Sequence, residues 1–166
     1  MHFNHLRYFF IIGLNLTVLT ACTKPPELEE LEQGFYQHQA TFEALSELAC
    51  ALKSAINTKF LRYQIHGGHQ FDENLLSQFN QLDQLLSEID SEDIVISQDG
   101  APECSLFITQ WSSAFGGDGA YIGYSYQPAK ISEYQPELSK SDSKPQSEVH
   151  FTKPLASGWY IEYEKY

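Results

Sequence analysis

Only one short stretch of this chain combines residues with the spacing of metal ligands, His66-x-x-His69-x-x-Asp72. Two imidazoles and a carboxylate are competent ligands for Zn²⁺. Their spacing would align them on one side of a helix, but Gly67 and Gly68 between them favour a turn. We therefore predict a solvated turn here, no metal site and no cofactor.

The sequence contains no motif that marks a catalytic nucleophile. It has neither a G-x-S-x-G elbow nor a P-loop nor a G-x-G-x-x-G turn. Ser112, Ser113 and Ser125 have no neighbours that indicate an activated hydroxyl. We assign no catalytic residue, and enzyme activity has no support from the sequence.

The first 22 residues have the pattern of an export signal that ends in a cysteine. Residues 8–19 form an apolar stretch behind a short segment that carries Arg7. Twelve helical residues span roughly 18 Å, which is too short for a hydrocarbon core of ~30 Å. A buried N-terminal helix is the alternative, but it does not explain the abrupt change to the polar sequence TKPPELEELE.

The four residues LTAC at 19–22 resemble the lipobox of bacterial lipoproteins. The resemblance implies that residues 1–21 are a signal peptide and that Cys22 is acylated, so that lipid anchors the chain in a membrane. Thr23 is similar to the residue of outer-membrane-directed members, since inner-membrane members carry Asp there. The two prolines that follow indicate a short extended tether at 22–27, and the length of the remainder predicts a single domain at 28–166. The resemblance implies that this domain faces the periplasm from the outer membrane.

The two other cysteines, Cys50 and Cys104, form an even pair. In an oxidising compartment such a pair usually forms a disulfide, whereas two buried free thiols are the alternative. The closed loop of about 55 residues would stabilise the fold by ~4 kcal/mol in the chain-entropy model. No C-x-x-C motif indicates a redox enzyme.

The chain is strongly acidic, with a formal net charge of −12. This charge argues against nucleic acid as a partner, because phosphates require a basic surface. Residues 63–129 contain ten acids and no Lys or Arg. We interpret these acids first as a solvated face that keeps the protein soluble, and the alternative is a binding surface for a basic protein partner. The partner-binding candidates on this acidic edge are Asp90, Glu92, Asp93, Asp99 and Glu103.

The hydrophobic periodicity predicts an α+β fold, with two N-terminal helices packed on one face of a mostly antiparallel sheet of about four to five strands. A helical stripe runs from 28 to 57 and could break at Gly34, and a second helix is expected over 73–89. The predicted strands are 93–97, 104–111, 120–126, 149–153 and 159–166. We also predict a hairpin turn at 156–158 and a long exposed loop at 133–147.

Five aromatic residues of the predicted strands are further partner-binding candidates. In a concave pocket they would favour a ligand or glycan, and on a flat sheet face a protein partner. If they belong to the core, the acidic edge becomes the main candidate. The five are Trp111, Tyr121, Tyr124, Trp159 and Tyr163.

These features together predict an outer-membrane-anchored periplasmic lipoprotein with a non-catalytic binding or envelope-accessory role. One alternative is an inhibitor or immunity protein against a basic hydrolase or toxin. The other alternative, from a different class, is an envelope hydrolase.

Overall fold

The computed structural model describes residues 24–68, 72–98, 104–115, 118–134 and 149–166. The predicted signal peptide, the lipidation residue Cys22 and the predicted loop at 133–147, apart from its first two residues, lie outside these ranges. Within them, no helix combines the length and the apolar character needed to cross a membrane.

The described residues form three α-helices where two were predicted. They are α1 (Leu28–Gln37), α2 (Gln39–Ile56) and α3 (Leu76–Glu88), and a short 3₁₀ helix (Glu73–Leu75) leads into α3. The single helix expected over 28–57 is interrupted at His38, not at Gly34. Phe35 of α1 and Phe42 of α2 both lie against the rings of Tyr124 and Trp159, so the two helices pack on a shared part of the sheet.

Within the described ranges the sheet contains six antiparallel strands in the order β1-β2-β3-β4-β6-β5, which confirms the α+β class and exceeds the predicted number of strands. The strands are β1 (Phe60–Gln64), β2 (Asp93–Ser97), β3 (Ser105–Phe115), β4 (Asp118–Tyr126), β5 (Val149–Pro154) and β6 (Trp159–Lys165). The unpredicted strand is β1, an edge strand in which only Tyr63 is buried. Its short segment therefore lacks the alternating apolar pattern that identified the other strands.

The helices cover one face of the sheet, and the core lies between them. Strand residues alternate between the two faces, so one set points at the helices and the other points away from them. The buried strand residues of the helix-covered face are Tyr63, Ile94, Ile96, Leu106, Ile108, Ile122, Tyr124, Phe151, Trp159 and Ile161. We call the opposite surface the open face, because none of the described helices packs on it.

Two local predictions are confirmed. Cys50 of α2 and Cys104, next to β3, form a disulfide that ties a helix to the sheet. The turn between β5 and β6 lies at residues 156–158, where Ser157 and Gly158 adopt positive φ angles. The N–H of Leu155 donates to the Trp159 carbonyl, which closes this hairpin.

Candidate functional site

Most of the candidate aromatic residues belong to the helix-covered side of the sheet. Tyr124 and Trp159 are buried, and both rings contact Phe42 of α2. Trp111 and Tyr163 are half-buried and pack against the same core. Their strand positions place them beneath the helices, so these four residues do not form a common binding surface.

Tyr121 is the one candidate aromatic residue on the open face. It pairs with Glu164 across β4 and β6, and its hydroxyl donates a hydrogen bond to the Glu164 carboxylate. Its ring packs edge-on against Phe107, with 5.1 Å between the ring centroids. Burial is the main cause that raises the pKa of Tyr121 above its usual range, and the nearby carboxylate adds to it.

The acidic candidates divide into paired and unpaired groups. Asp93 forms an ion pair with Arg62 of β1, with 3.3 Å between the guanidinium nitrogen and the carboxylate. Asp90 and Glu92 are exposed, and neither pairs with Lys or Arg in the described part of the chain. Asp99 and Glu103 lie outside the described residues.

The two unpaired acids border a shallow depression that we call the acidic hollow. It has a volume of about 280 Å³ and lies between the end of β1 and the connection from α3 to β2. Its lining residues are Ile65, His66, Ser87, Asp90, Ser91 and Glu92. The hollow thus brings together Asp90 and Glu92 of the predicted acidic edge with His66 of the predicted turn. His69, the other histidine of that motif, lies outside the described residues.

Backbone hydrogen bonds hold the walls of the acidic hollow. The N–H groups of Asp90 and Ser91 donate to the carbonyls of Ser87 and Leu86, which ends α3 with Asp90 at a φ of 53°. On the opposite wall, the Ile65 N–H donates to the Glu92 carbonyl at 2.8 Å. The two carboxylates therefore project from a fixed backbone.

A second group of polar residues lies on the open face near the other edge of the sheet. His150 of β5 and Glu162 and Glu164 of β6 place their ligand-type atoms within 4.8 Å of one another. The His150 Nε2 is 3.0 Å from a Glu162 carboxylate oxygen, and both side chains are largely buried, at 13% and 15% exposure. We call these three residues the histidine cluster.

The segment that precedes the predicted long loop supports the histidine cluster. The Ser132 hydroxyl is 2.8 Å from His150 Nδ1. Ser132 is in turn fixed by Thr152, whose hydroxyl accepts from the Ser132 N–H and donates to the Ser132 carbonyl. Position 132 is thus held against the outer strand β5.

Ser132, His150 and Glu162 form a serine–histidine–carboxylate chain, which sequence analysis did not identify. Such a chain can activate a nucleophile when backbone N–H groups nearby stabilise an oxyanion. The N–H of Ser132 is already used in the hydrogen bond to Thr152. In addition, His150 contacts the serine through Nδ1 and the carboxylate through Nε2. In serine proteases the reverse holds, and Nε2 contacts the serine. The geometry therefore favours an orienting role for Ser132 over a nucleophilic one.

Comparisons of the chain with protein-family models, with curated proteins and with solved structures give no match.

Proposed function

We propose that this protein is a lipid-anchored binding protein of the bacterial cell envelope, which captures a basic protein partner through the acidic hollow. The observation that carries this proposal is the pair of exposed carboxylates, Asp90 and Glu92, at a concave surface whose described lining includes no Lys or Arg; neither carboxylate forms an ion pair within the described ranges. A Lys or Arg side chain of a partner would find there two charges and a depression of suitable size.

The membrane part of the proposal is supported by the sequence at 19–22, LTAC, and by the apolar stretch ahead of it. Helix α1 begins at Leu28, six residues after Cys22. Six extended residues reach at most about 20 Å, so an acylated Cys22 would hold the domain close to the outer membrane on its periplasmic side. This short reach favours a partner that acts at or near the membrane surface.

Lipidation is tested by replacing Cys22 with Ala and feeding cells an alkyne-labelled fatty acid. The unaltered chain should carry the label and stay with the membrane, because the thiol is the acceptor of the lipid. The variant should lose the label. A labelled, membrane-bound C22A protein would refute the lipoprotein assignment.

The partner surface is tested by photo-crosslinking in intact cells. A benzophenone amino acid replaces Glu92 in one full-length protein and Tyr36, which is exposed on α1, in another. We expect position 92 to capture one basic envelope protein and position 36 to capture none. Purified partner is then titrated with the unaltered chain and with two charge-reversal variants, E92K and E47K.

E47K is the matched control, because Glu47 is also exposed and its reversal changes the net charge equally. Binding through the hollow predicts that E92K weakens affinity at least tenfold, as expected for a contacted charge, while E47K leaves it within twofold. Equal effects would indicate only long-range attraction by the net charge. Capture at position 36 instead of 92 would place the partner on another surface and refute the assignment.

The identity of the captured protein separates the two forms of this role. An assembly component of the envelope would indicate an accessory lipoprotein. A basic hydrolase or toxin whose activity falls when this protein is added would indicate an inhibitor or immunity protein.

A further inference from the structure

We propose that the histidine cluster binds one divalent transition-metal ion of the Zn²⁺ type, through His150 Nε2 and the carboxylates of Glu162 and Glu164. This site is separate from the acidic hollow. The hollow borders β1 at one edge of the sheet, whereas β5 forms the other edge. Either proposal can therefore fail without the other.

The spacing of the ligand atoms is close to that of an occupied site. Bonds of about 2.1 Å to a common ion place two ligand atoms roughly 3–4 Å apart, depending on the angle between them. The three ligand atoms lie within 4.8 Å of one another, and the His150–Glu162 pair is already at 3.0 Å. Small side-chain rotations of the glutamates would complete the geometry without a change in the backbone.

The charge of the cluster also favours a cation. Glu162 and Glu164 are partly buried on the same face of β6; a Glu162 oxygen is 3.0 Å from His150 Nε2, and Glu164 accepts a hydrogen bond from Tyr121. Within the described part of the chain, no Lys or Arg forms an ion pair with either carboxylate. A divalent ion would neutralise two partly desolvated negative charges at once.

Neighbouring residues hold the ligands in the orientation that metal binding requires. A metal-bound histidine usually donates its second ring N–H to an oxygen, which fixes both the tautomer and the ring plane. Ser132 offers that oxygen at 2.8 Å from Nδ1, and Thr152 fixes Ser132. Tyr121 donates to Glu164 in the same supporting manner. With Nδ1–H donating to Ser132, the Nε2 lone pair would face the ion, and the ion would replace the present contact between Nε2 and Glu162.

The ligand types restrict the choice of ion. Imidazole with carboxylates suits Zn²⁺ and its first-row neighbours, whereas Ca²⁺ and Mg²⁺ prefer sites built from oxygen alone. Three protein ligands leave a fourth position for water or for a group of a bound molecule.

The test is equilibrium dialysis of the full-length protein in detergent against Zn²⁺ alone. Any Cys22 thiol that carries no lipid is alkylated beforehand, so that it cannot bind the ion. We expect one ion per chain, an affinity loss of at least tenfold in E164Q and H150Q, and a loss of about tenfold in S132A, as is typical for an orienting residue. Ca²⁺ at the same concentration should not compete.

H38Q is the matched control, because His38 lies between α1 and α2, away from the open face. It should bind Zn²⁺ as the unaltered protein does. Circular dichroism without metal checks that each variant keeps its fold. Absence of saturable binding by the unaltered protein, or equal losses in H38Q and H150Q, would overturn the proposal.

Discussion

A close contact between α1 and the sheet gives the sharpest test of the fold. The buried Tyr124 hydroxyl donates to the Leu31 carbonyl at 2.8 Å. Gly34 lies one turn further along the same helix, and a Cβ atom at this position would lie 3.1 Å from that hydroxyl oxygen. A methyl group there would therefore push the hydroxyl by a few tenths of an ångström and weaken its hydrogen bond to Leu31.

The expected free energies follow from two opposing effects of Gly34→Ala. Alanine in a helix interior stabilises by about 1 kcal/mol relative to glycine. A hydrogen bond contributes about 1 kcal/mol to stability, so weakening this one offsets most of that gain. We expect G34A alone to change the free energy of unfolding by less than ~0.5 kcal/mol. In the Y124F background, where no hydroxyl opposes the methyl group, it should stabilise by about 1 kcal/mol.

Urea unfolding of the four full-length chains measures this coupling as a double-mutant cycle. We expect a coupling free energy of about 1 kcal/mol. Tyr126→Phe is the control, because it removes a hydroxyl that contacts Gln127 and not α1. G34A and Y126F should be additive. If G34A stabilises the unaltered chain and the Y124F variant equally, the hydroxyl does not lie against α1 as described.

Two further predictions concern the disulfide and the buried tyrosines. Replacing Cys50 and Cys104 together by serine should lower the free energy of unfolding by roughly 4 kcal/mol, because the disulfide closes a loop over a sequence separation of 54. Urea unfolding measures this difference, and a loss below ~1 kcal/mol would contradict the prediction. Burial raises the pKa of four tyrosines above the ordinary value of 10.0, so the folded state keeps protons that the unfolded state loses, and stability should fall as the pH rises above about 10. An absorbance titration at alkaline pH should show their ionisation together with unfolding, whereas one reversible step near pH 10 with the fold intact would contradict it. The four are Tyr63, Tyr121, Tyr124 and Tyr163.

Part of the histidine cluster could have been derived from the sequence. The turn predicted at 156–158 determines the register of its hairpin, and this register pairs His150 with Glu164. The alternation of VHFTK places His150 on the face opposite Phe151, so the histidine shares a face with Glu162 and Glu164. Spacing along the chain does not reveal this group, because its residues meet only across a hairpin.

Long-range pairing could not be derived in this way. Tyr121 reaches Glu164 because β4 pairs with β6 rather than with β5, and no local signal determines that choice. For the same reason, the charges along the sequence do not show which acids form ion pairs in the fold. The acidic stretch contains no cation of its own, yet β1 pairs with β2 and brings Arg62 to Asp93. The acidic edge is thereby reduced to the carboxylates that strand pairing leaves unpaired.

The aromatic residues of the open face have a structural explanation. A Cβ atom at Gly123 would lie only 2.1 Å from the Ile108 carbonyl, so β3 and β4 approach too closely there for any side chain. The Phe107 ring lies over this glycine and contacts Tyr121, so it covers the backbone that a side chain would otherwise shield. These rings are therefore part of the packing of the sheet, and they do not indicate a docking surface. Because packing already explains the aromatics, the charged groups that packing does not require are the stronger signals of function: the histidine cluster and the carboxylates of the acidic hollow.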